Sequence, residues 1–346
     1  MTDRSGSSNR WGGAFLQTTI DHAADTVVTG GIEPMSWTLG RHRWSLLDNG
    51  VLTIEPLEGA ASVHTSLVLS AAIHGNETAP AEMLDRIVHD LATASLVPGV
   101  RLLAILGNPQ AIVAGTRFVE ENLNRLFSGV HEQRNHAEAR RAALLEHAVG
   151  EFFAAAPPQH RRLHYELHTA IRASQLERFA VFPFGQPVDD EQLDFLRRAD
   201  IHGILLDNGP STTFSYFSSN RWGAESMTLE LGRVSPLGAN DPSRLAAIDA
   251  CLRAVVRDGW PSPSLPPIVS DPQVFEVEHE LLRTHASDFL LHVADDAPNF
   301  SLIEPGHRIT SDPDGGIIID GPGRRIVFPN PQVPVGQRVG LVIAPR

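Results

Sequence analysis

SLVLSAAIHGNETAP, residues 66–80, is the stretch that decides the fold. Its first eight residues form an unbroken apolar run of strand length, and a run without polar alternation marks a strand covered on both faces. The run stops at the polar turn His74, Gly75, Asn76, Glu77, and helical periodicity takes over from 79 to 91. The same unit of strand, polar turn and helix recurs along the chain. Residues 100–106 (VRLLAIL) end in the turn Gly107, Asn108, Pro109, a helix is expected at 137–153, and strands are expected at 163–167 and 179–182. A helix at 191–198, strands at 203–206 and 226–231 and a helix at 242–256 complete the series, and short strands at 37–39 and 51–54 precede it. The expected architecture is an α/β sandwich with a mainly parallel or mixed sheet, in which functional side chains stand at the carboxyl ends of strands.

Beyond 259 this pattern ends. Pro261, Pro263, Pro266, Pro267 and Pro272 interrupt the chain, and short β runs with Gly/Pro turns occupy the C-terminal stretch. The expected division is an N-terminal extension over 1–40, an α/β domain over 41–260 and a small all-β domain over 261–346. With 346 residues, 42% of them hydrophobic and 20% charged, the chain can bury a substantial core. All 28 Lys+Arg residues are arginine, so lysine Schiff bases, a P-loop lysine and a lysine base are excluded. A net charge of −13 repels polyanions, so neither nucleic acid nor an anionic membrane is expected as a partner. No run approaches the ~20 apolar residues of a membrane helix, and residues 1–10 are polar with no apolar stretch behind them. The one cysteine, Cys251, shares a helical apolar spacing with Ile248, Leu252 and Val255. It reads as a core residue in a reducing, cytoplasmic compartment. A homo-oligomeric assembly is compatible with the sequence.

Among the polar turns, His74 and Glu77 form an H-x-x-E pair, and His168 ends the strand LHYELH. Two imidazoles and one carboxylate are the ligand set of a catalytic zinc site with a coordination position left for water or substrate. Other divalent ions suit the same donors. H-x-x-E alone is weak among 16 histidines and 41 acids, and a polar surface loop is the competing reading. Placement at the carboxyl ends of apolar strands favours the metal. His164 could form a helical H-x-x-x-H pair with His168, but the alternation of Leu163, Tyr165 and Leu167 indicates a strand, and His164 is read as structural. Glu166 shares a strand face with His168; it is either the carboxylate that holds that ligand's other ring nitrogen or a solvated strand-edge charge.

HGNETAP at 74–80, GNPQAI at 107–112, RFVEENLNRLFSG at 117–129, ELHTAIRAS at 166–174 and TLELG at 228–232, in that order, resemble the succinylglutamate desuccinylases. These are grouped with the aspartoacylases in the wider zinc carboxypeptidase superfamily. RRIVFPNPQVPVGQRVGL at 324–341 is similar to the desuccinylase end. The resemblance implies a zinc-carboxypeptidase-like α/β/α sandwich with a mixed sheet and a small C-terminal β domain. It further implies one zinc ion per chain on His74, Glu77 and His168, with Glu230 as the general base that takes a proton from water and delivers it to the leaving nitrogen. By the same resemblance Arg117 stabilises the oxyanion, Asn124 and Arg125 grip a substrate carboxylate, and Arg172 holds a second one. The planar guanidinium fork suits both tasks.

The implied partner is a small anionic N-acyl amino acid, and the implied reaction is hydrolysis of N-succinyl-L-glutamate to succinate and L-glutamate, the last step of arginine catabolism through succinylated intermediates. The alternatives are an aspartoacylase-like hydrolase of another N-acyl amino acid, a metallocarboxypeptidase, and a catalytically silent binding protein. A β domain that narrows the cleft disfavours the carboxypeptidase, and intact His74, Glu77, His168 and Glu230 oppose the silent protein. Two departures stand out. Glu166 occupies a position where the family usually has aspartate. The only tyrosines are Tyr165 and Tyr216, so a substrate contact from the C-terminal domain must use another residue type.

Overall fold

A computed structural model describes residues 11, 13–25, 32–57 and 63–346; the polar stretch 1–10 lies outside the described residues. In chain order the strands are β1 (Met35–Leu39), β2 (His42–Asp48), β3 (Val51–Pro56), β4 (Thr65–Ala71), β5 (Arg101–Leu106), β6 (Arg161–Ala170), β7 (Arg178–Phe182), β8 (Gly203–Leu206) and β9 (Glu225–Arg233). The C-terminal strands are β10 (Gln273–Leu282), β11 (Leu290–Leu291), β12 (Ser301–Leu302), β13 (His307–Arg308), β14 (Thr310–Ser311), β15 (Ile318–Ile319), β16 (Arg325–Val327) and β17 (Arg338–Pro345). The helices are α1 (Phe15–Asp25), α2 (Thr78–Ala92), α3 (Pro109–Ala114), α4 (Ala137–Ala154), α5 (Asp190–Arg198), α6 (Phe214–Trp222) and α7 (Ala246–Asp258).

Thirteen strands form one mixed sheet in the order β1-β2-β3-β5-β4-β6-β9-β7-β8-β10-β17-β16-β12. Its centre, β5-β4-β6-β9, is parallel, as the recurring strand and helix units require. Every residue of β4 and β5 is buried, and the two-residue period of the strands sorts them into two layers. Leu67, Leu69, Leu102, Ala104, Leu163 and Tyr165 face one layer, where Leu84 and Ile87 of α2 and Ile248, Leu252 and Val255 of α7 meet them. Val68, Leu103 and Ile105 point the other way, onto Leu145, Val149 and Phe153 of α4 and Phe214 of α6. The result is an α/β/α sandwich. Cys251 lies fully buried in the first layer.

Helix α1 also joins that first layer through Phe15 and Leu16, and its Leu16 N–H donates to Asp85 Oδ1 at 2.8 Å. At the far end of the sheet β10 runs parallel to β8 and antiparallel to β17. Phe179 and Leu205 share a buried cluster with Phe275, Phe300, Leu341 and Ile343, so the C-terminal β domain is joined to the sandwich by hydrogen bonds and by common core. Among the described residues no helix is long and apolar enough to cross a membrane.

Four elements have little signature in the sequence: α1, β2, α3 and α6. FSYFSSNRW, which forms α6, shows no clean apolar stripe, and serine and aromatic residues are poor helix formers. Its ends are nevertheless well specified. Thr213 caps the start by accepting from Tyr216 N, and Gly223 ends the helix in the left-handed conformation.

Candidate metal and catalytic site

His74 and Glu77 lie in the turn that joins β4 to α2, and His168 lies on the neighbouring parallel strand β6. The turn is tight because of Gly75. A Cβ there would lie 2.1 Å from the Ala111 carbonyl carbon at the start of α3, and the Gly75 N–H donates to the Arg117 carbonyl at 3.1 Å. One donor atom from each of His74, Glu77 and His168 can be chosen so that the three lie within 4.8 Å of one another. The His74 and His168 Nδ1 atoms face the Glu77 oxygens at 2.9 and 2.8 Å. Both outer ring nitrogens are held: His74 Nε2–H donates to Asn122 Oδ1 at 2.9 Å and His168 Nε2–H to Glu166 Oε1 at 2.8 Å. With the Nε2 protons fixed in this way, each ring can offer its Nδ1 lone pair inward. This donor set fits a divalent metal ion such as zinc.

The electrostatics of the metal-free trio agree. Burial raises the cost of charge on Glu77, but His74 and His168 outweigh it and hold its carboxyl well below the usual range. Burial likewise opposes a charge on His168, yet Glu77 and Glu166 on its two sides keep the ring's pKa well above the ordinary value. His74 is the neutral member, lowered to about 4 chiefly by burial. Binding a cation at Nδ1 of His168 therefore displaces a proton.

Glu230 lies on β9, directly opposite His168 in the strand register. It is 9% exposed, and its Oε2 has no hydrogen-bond partner among the described residues. Burial is the main cause that lifts its pKa to about 7; Glu77 adds to the lift, against the pull of His168 and Arg117. A buried carboxylate with a free oxygen and a pKa near neutrality is suited to accept and return a proton. Arg117 donates from Nη1 to Glu77 Oε1 at 2.7 Å. Asn124 is buried, and its Oδ1 accepts from Phe214 N at 2.9 Å, which leaves its amide nitrogen to face the cleft. Arg125 donates to the Asn124 carbonyl at 2.8 Å, and Arg172 to the carbonyl of Asp295. All eight residues expected from the sequence line one cavity of about 350 Å³ at the carboxyl ends of the central strands.

A family model described as the succinylglutamate desuccinylase/aspartoacylase catalytic domain matches residues 63–256, and one described as the AstE/AspA barrel-sandwich hybrid domain matches 270–346. The chain belongs to this family. It is 42% identical over 308 residues to a succinylglutamate desuccinylase from Pseudomonas fluorescens, covering 88% of this chain and 90% of that one. The crystal structure of succinylglutamate desuccinylase from Chromobacterium violaceum superposes with a TM-score of 0.81 at 36% identity, over 96% of this chain and 98% of the other. Murine aminoacylase 3 shares the fold, with a TM-score of 0.56 at 14% identity over 83% and 97% of the two chains. As a member of the succinylglutamate desuccinylase/aspartoacylase family, the protein is an amidohydrolase.

Asn122, Arg338 and Phe328 of this desuccinylase-family cleft escape sequence reasoning, whereas Glu166 and His164 are singled out by it. Asn122 orients His74 while also accepting from Asn124 N at 3.0 Å; the repeated asparagines in ENLN are the only trace of it. Glu166 is fully buried and is held by Ser215 N at 2.9 Å and Thr228 Oγ1 at 3.2 Å as well as by His168. The first turn of α6 therefore anchors both Glu166 and Asn124. His164 uses both ring nitrogens on Ser70 Oγ and Ser218 Oγ, at 2.8 and 2.7 Å, and is not one of the three donors. Arg338 and Phe328 enter the same cavity from the C-terminal domain.

Proposed function

We propose that this protein hydrolyses the amide bond of N-succinyl-L-glutamate to succinate and L-glutamate, with one zinc ion per chain held by His74, Glu77 and His168. The names of its relatives support the substrate. A single observation carries the chemistry: Glu230, a buried carboxylate with a free oxygen, stands in register beside a ligand of the three-donor set. Zinc in that set would act as a Lewis acid on the acyl carbonyl and ease the ionisation of water.

The chain's own residues do the rest. Glu230 takes one proton from the attacking water as its oxygen bonds to the acyl carbon, and it returns that proton to the glutamate nitrogen as the C–N bond breaks. Arg117 keeps guanidinium N–H groups beyond the one on Glu77 and directs them at the carbonyl oxygen as it becomes an oxyanion. Asn124, Arg125 and Arg172 hold substrate carboxylates. A cytoplasmic site of action accords with a chain that has a single, buried cysteine.

The test is hydrolysis of N-succinyl-L-glutamate, N-succinyl-L-arginine and N-acetyl-L-aspartate side by side, with and without a chelator. The first is expected to be turned over fastest, and the chelator to abolish turnover; faster turnover of either other substrate would reassign the specificity. Glu230→Gln should retain zinc and lose about 10²- to 10⁴-fold in rate, and a near-normal rate would remove Glu230 from its role.

A further inference from the structure

Four arginines line the cavity: Arg117, Arg125, Arg172 and Arg338. In a chain without lysine they are the only side chains of the cavity with a fixed positive charge. Arg117 is engaged by Glu77. Among the described residues, none of the other three is within ion-pair distance of a carboxylate, although most arginines of the sandwich have such a partner. Unpaired guanidiniums in a recess are an incomplete electrostatic arrangement that an anion completes.

The third of these, Arg338, begins β17 and so belongs to the C-terminal domain. Its guanidinium lies over the Phe328 ring, 5.8 Å from the centroid, which limits where the fork can point. Arg125, across the cavity, feels the like charges of Arg338 and Arg117. Two acids belong to the same neighbourhood. Asp207 lines the cavity and Glu280 lines the recess that adjoins it, yet neither reaches ion-pair distance of Arg125 or Arg338. An anion between the two guanidiniums would relieve their repulsion and displace no existing ion pair.

We infer that Arg338 is a specificity-determining residue that binds one substrate carboxylate, so that Arg125, Arg172 and Arg338 match one for one the three carboxylates of an N-dicarboxyacyl amino-dicarboxylate. The inference rests on the substrate class proposed above and deepens it. An N-acyl amino acid with only two carboxylates leaves one of the three guanidiniums without a partner in a recess partly shut off from water, and is rejected on that ground. The C-terminal domain thereby counts the charges on the substrate.

The experiment measures binding by calorimetry in the zinc-loaded Glu230→Gln protein, which holds ligand without consuming it, with and without Arg338→Gln. The ligands are N-succinyl-L-glutamate and three analogues that each lack one carboxylate: N-butanoyl-L-glutamate, N-succinyl-L-glutamine and the α-amide of N-succinyl-L-glutamate. Loss of Arg338 should weaken N-succinyl-L-glutamate by about 10- to 100-fold. It should change the affinity of one analogue, the one without the carboxylate that Arg338 holds, by no more than about twofold. Arg338→Lys, which keeps the charge without the fork, should recover part of the affinity. Equal weakening of all four ligands, or no weakening of the first, would overturn the inference. Binding of N-succinyl-L-glutamate without hydrolysis by the wild-type enzyme would refute the proposed reaction alone, and no binding would refute both.

Discussion

Replacing Glu166 by glutamine tests how the metal ligands are oriented. The Glu166 carboxylate is fully buried and accepts three hydrogen bonds, from His168 Nε2 at 2.8 Å, Ser215 N at 2.9 Å and Thr228 Oγ1 at 3.2 Å. Glutamine keeps the shape but has only one acceptor oxygen. If that oxygen stays with Ser215 and Thr228, the new NH₂ points at His168 Nε2–H, and two buried donors oppose each other. The conflict resolves when His168 gives up its Nε2 proton and keeps the one on Nδ1, the atom that faces Glu77 and the ligand set. A ring protonated there has no lone pair for a cation. The alternative, an amide turned the other way, leaves Ser215 N without an acceptor at about 1–3 kcal/mol. Either outcome costs roughly 10- to 100-fold in metal affinity. Competition against a chromophoric zinc chelator gives the affinity, and imidazole ¹⁵N shifts of the metal-free protein show whether Nε2 keeps its proton. Affinity within about threefold of wild type together with an Nε2 that stays protonated would refute this reasoning.

Other perturbations read other parts of the molecule. In the metal-free protein Glu230 takes up its proton near pH 7, and a bound cation lowers that value. Because a base acts only when deprotonated, kcat/KM should rise with pH along a limb centred below 7; a limb centred above 7 in the zinc enzyme would contradict the assignment. His164 is held neutral, its pKa lowered by burial to about 4 from 6.5. Between those values the unfolded chain binds the extra proton, so stability falls with falling pH, by about 2 kcal/mol at pH 5. Urea midpoints at pH 7 and pH 5 measure the difference, which His164→Gln should reduce. Gly75→Ala forces a methyl group against the Ala111 backbone and should destabilise the fold by about 3 kcal/mol while impairing zinc uptake, as thermal melts and metal analysis will show. Burial pushes the Cys251 thiol up to about 12, so a disulfide reagent should find no reactive thiol in the native protein and one after denaturation.

The sandwich was legible because buried parallel strands announce themselves as unbroken apolar runs: 66–73 covers all of β4 but its first residue, and 100–106 contains β5. The helices that were evident, α2, α4, α5 and α7, each carry an apolar stripe. Those that were not, α1, α3 and α6, are held by caps and by contacts distant in the chain, which no local pattern records. Polar turns at the ends of apolar runs pointed to His74, Glu77 and His168, and the family resemblance supplied roles for Glu230 and the arginines. Asn122 gave no signal because its task depends on His74, 48 positions away.

By itself, then, the sequence determined the layered α/β class and the restriction to arginine for every fixed positive side-chain charge, and it pointed to three candidate donor residues. Those are properties of residue type and local period. Tertiary structure alone decided that Glu166 faces a ring nitrogen and not water, that Glu230 keeps a free oxygen, and that Arg338 shares a cavity with Arg125. Each of these depends on the register of β6 against β9 or on β17 folding back across the cleft, and side-chain charge acquires a chemical role only when burial and neighbours set its cost.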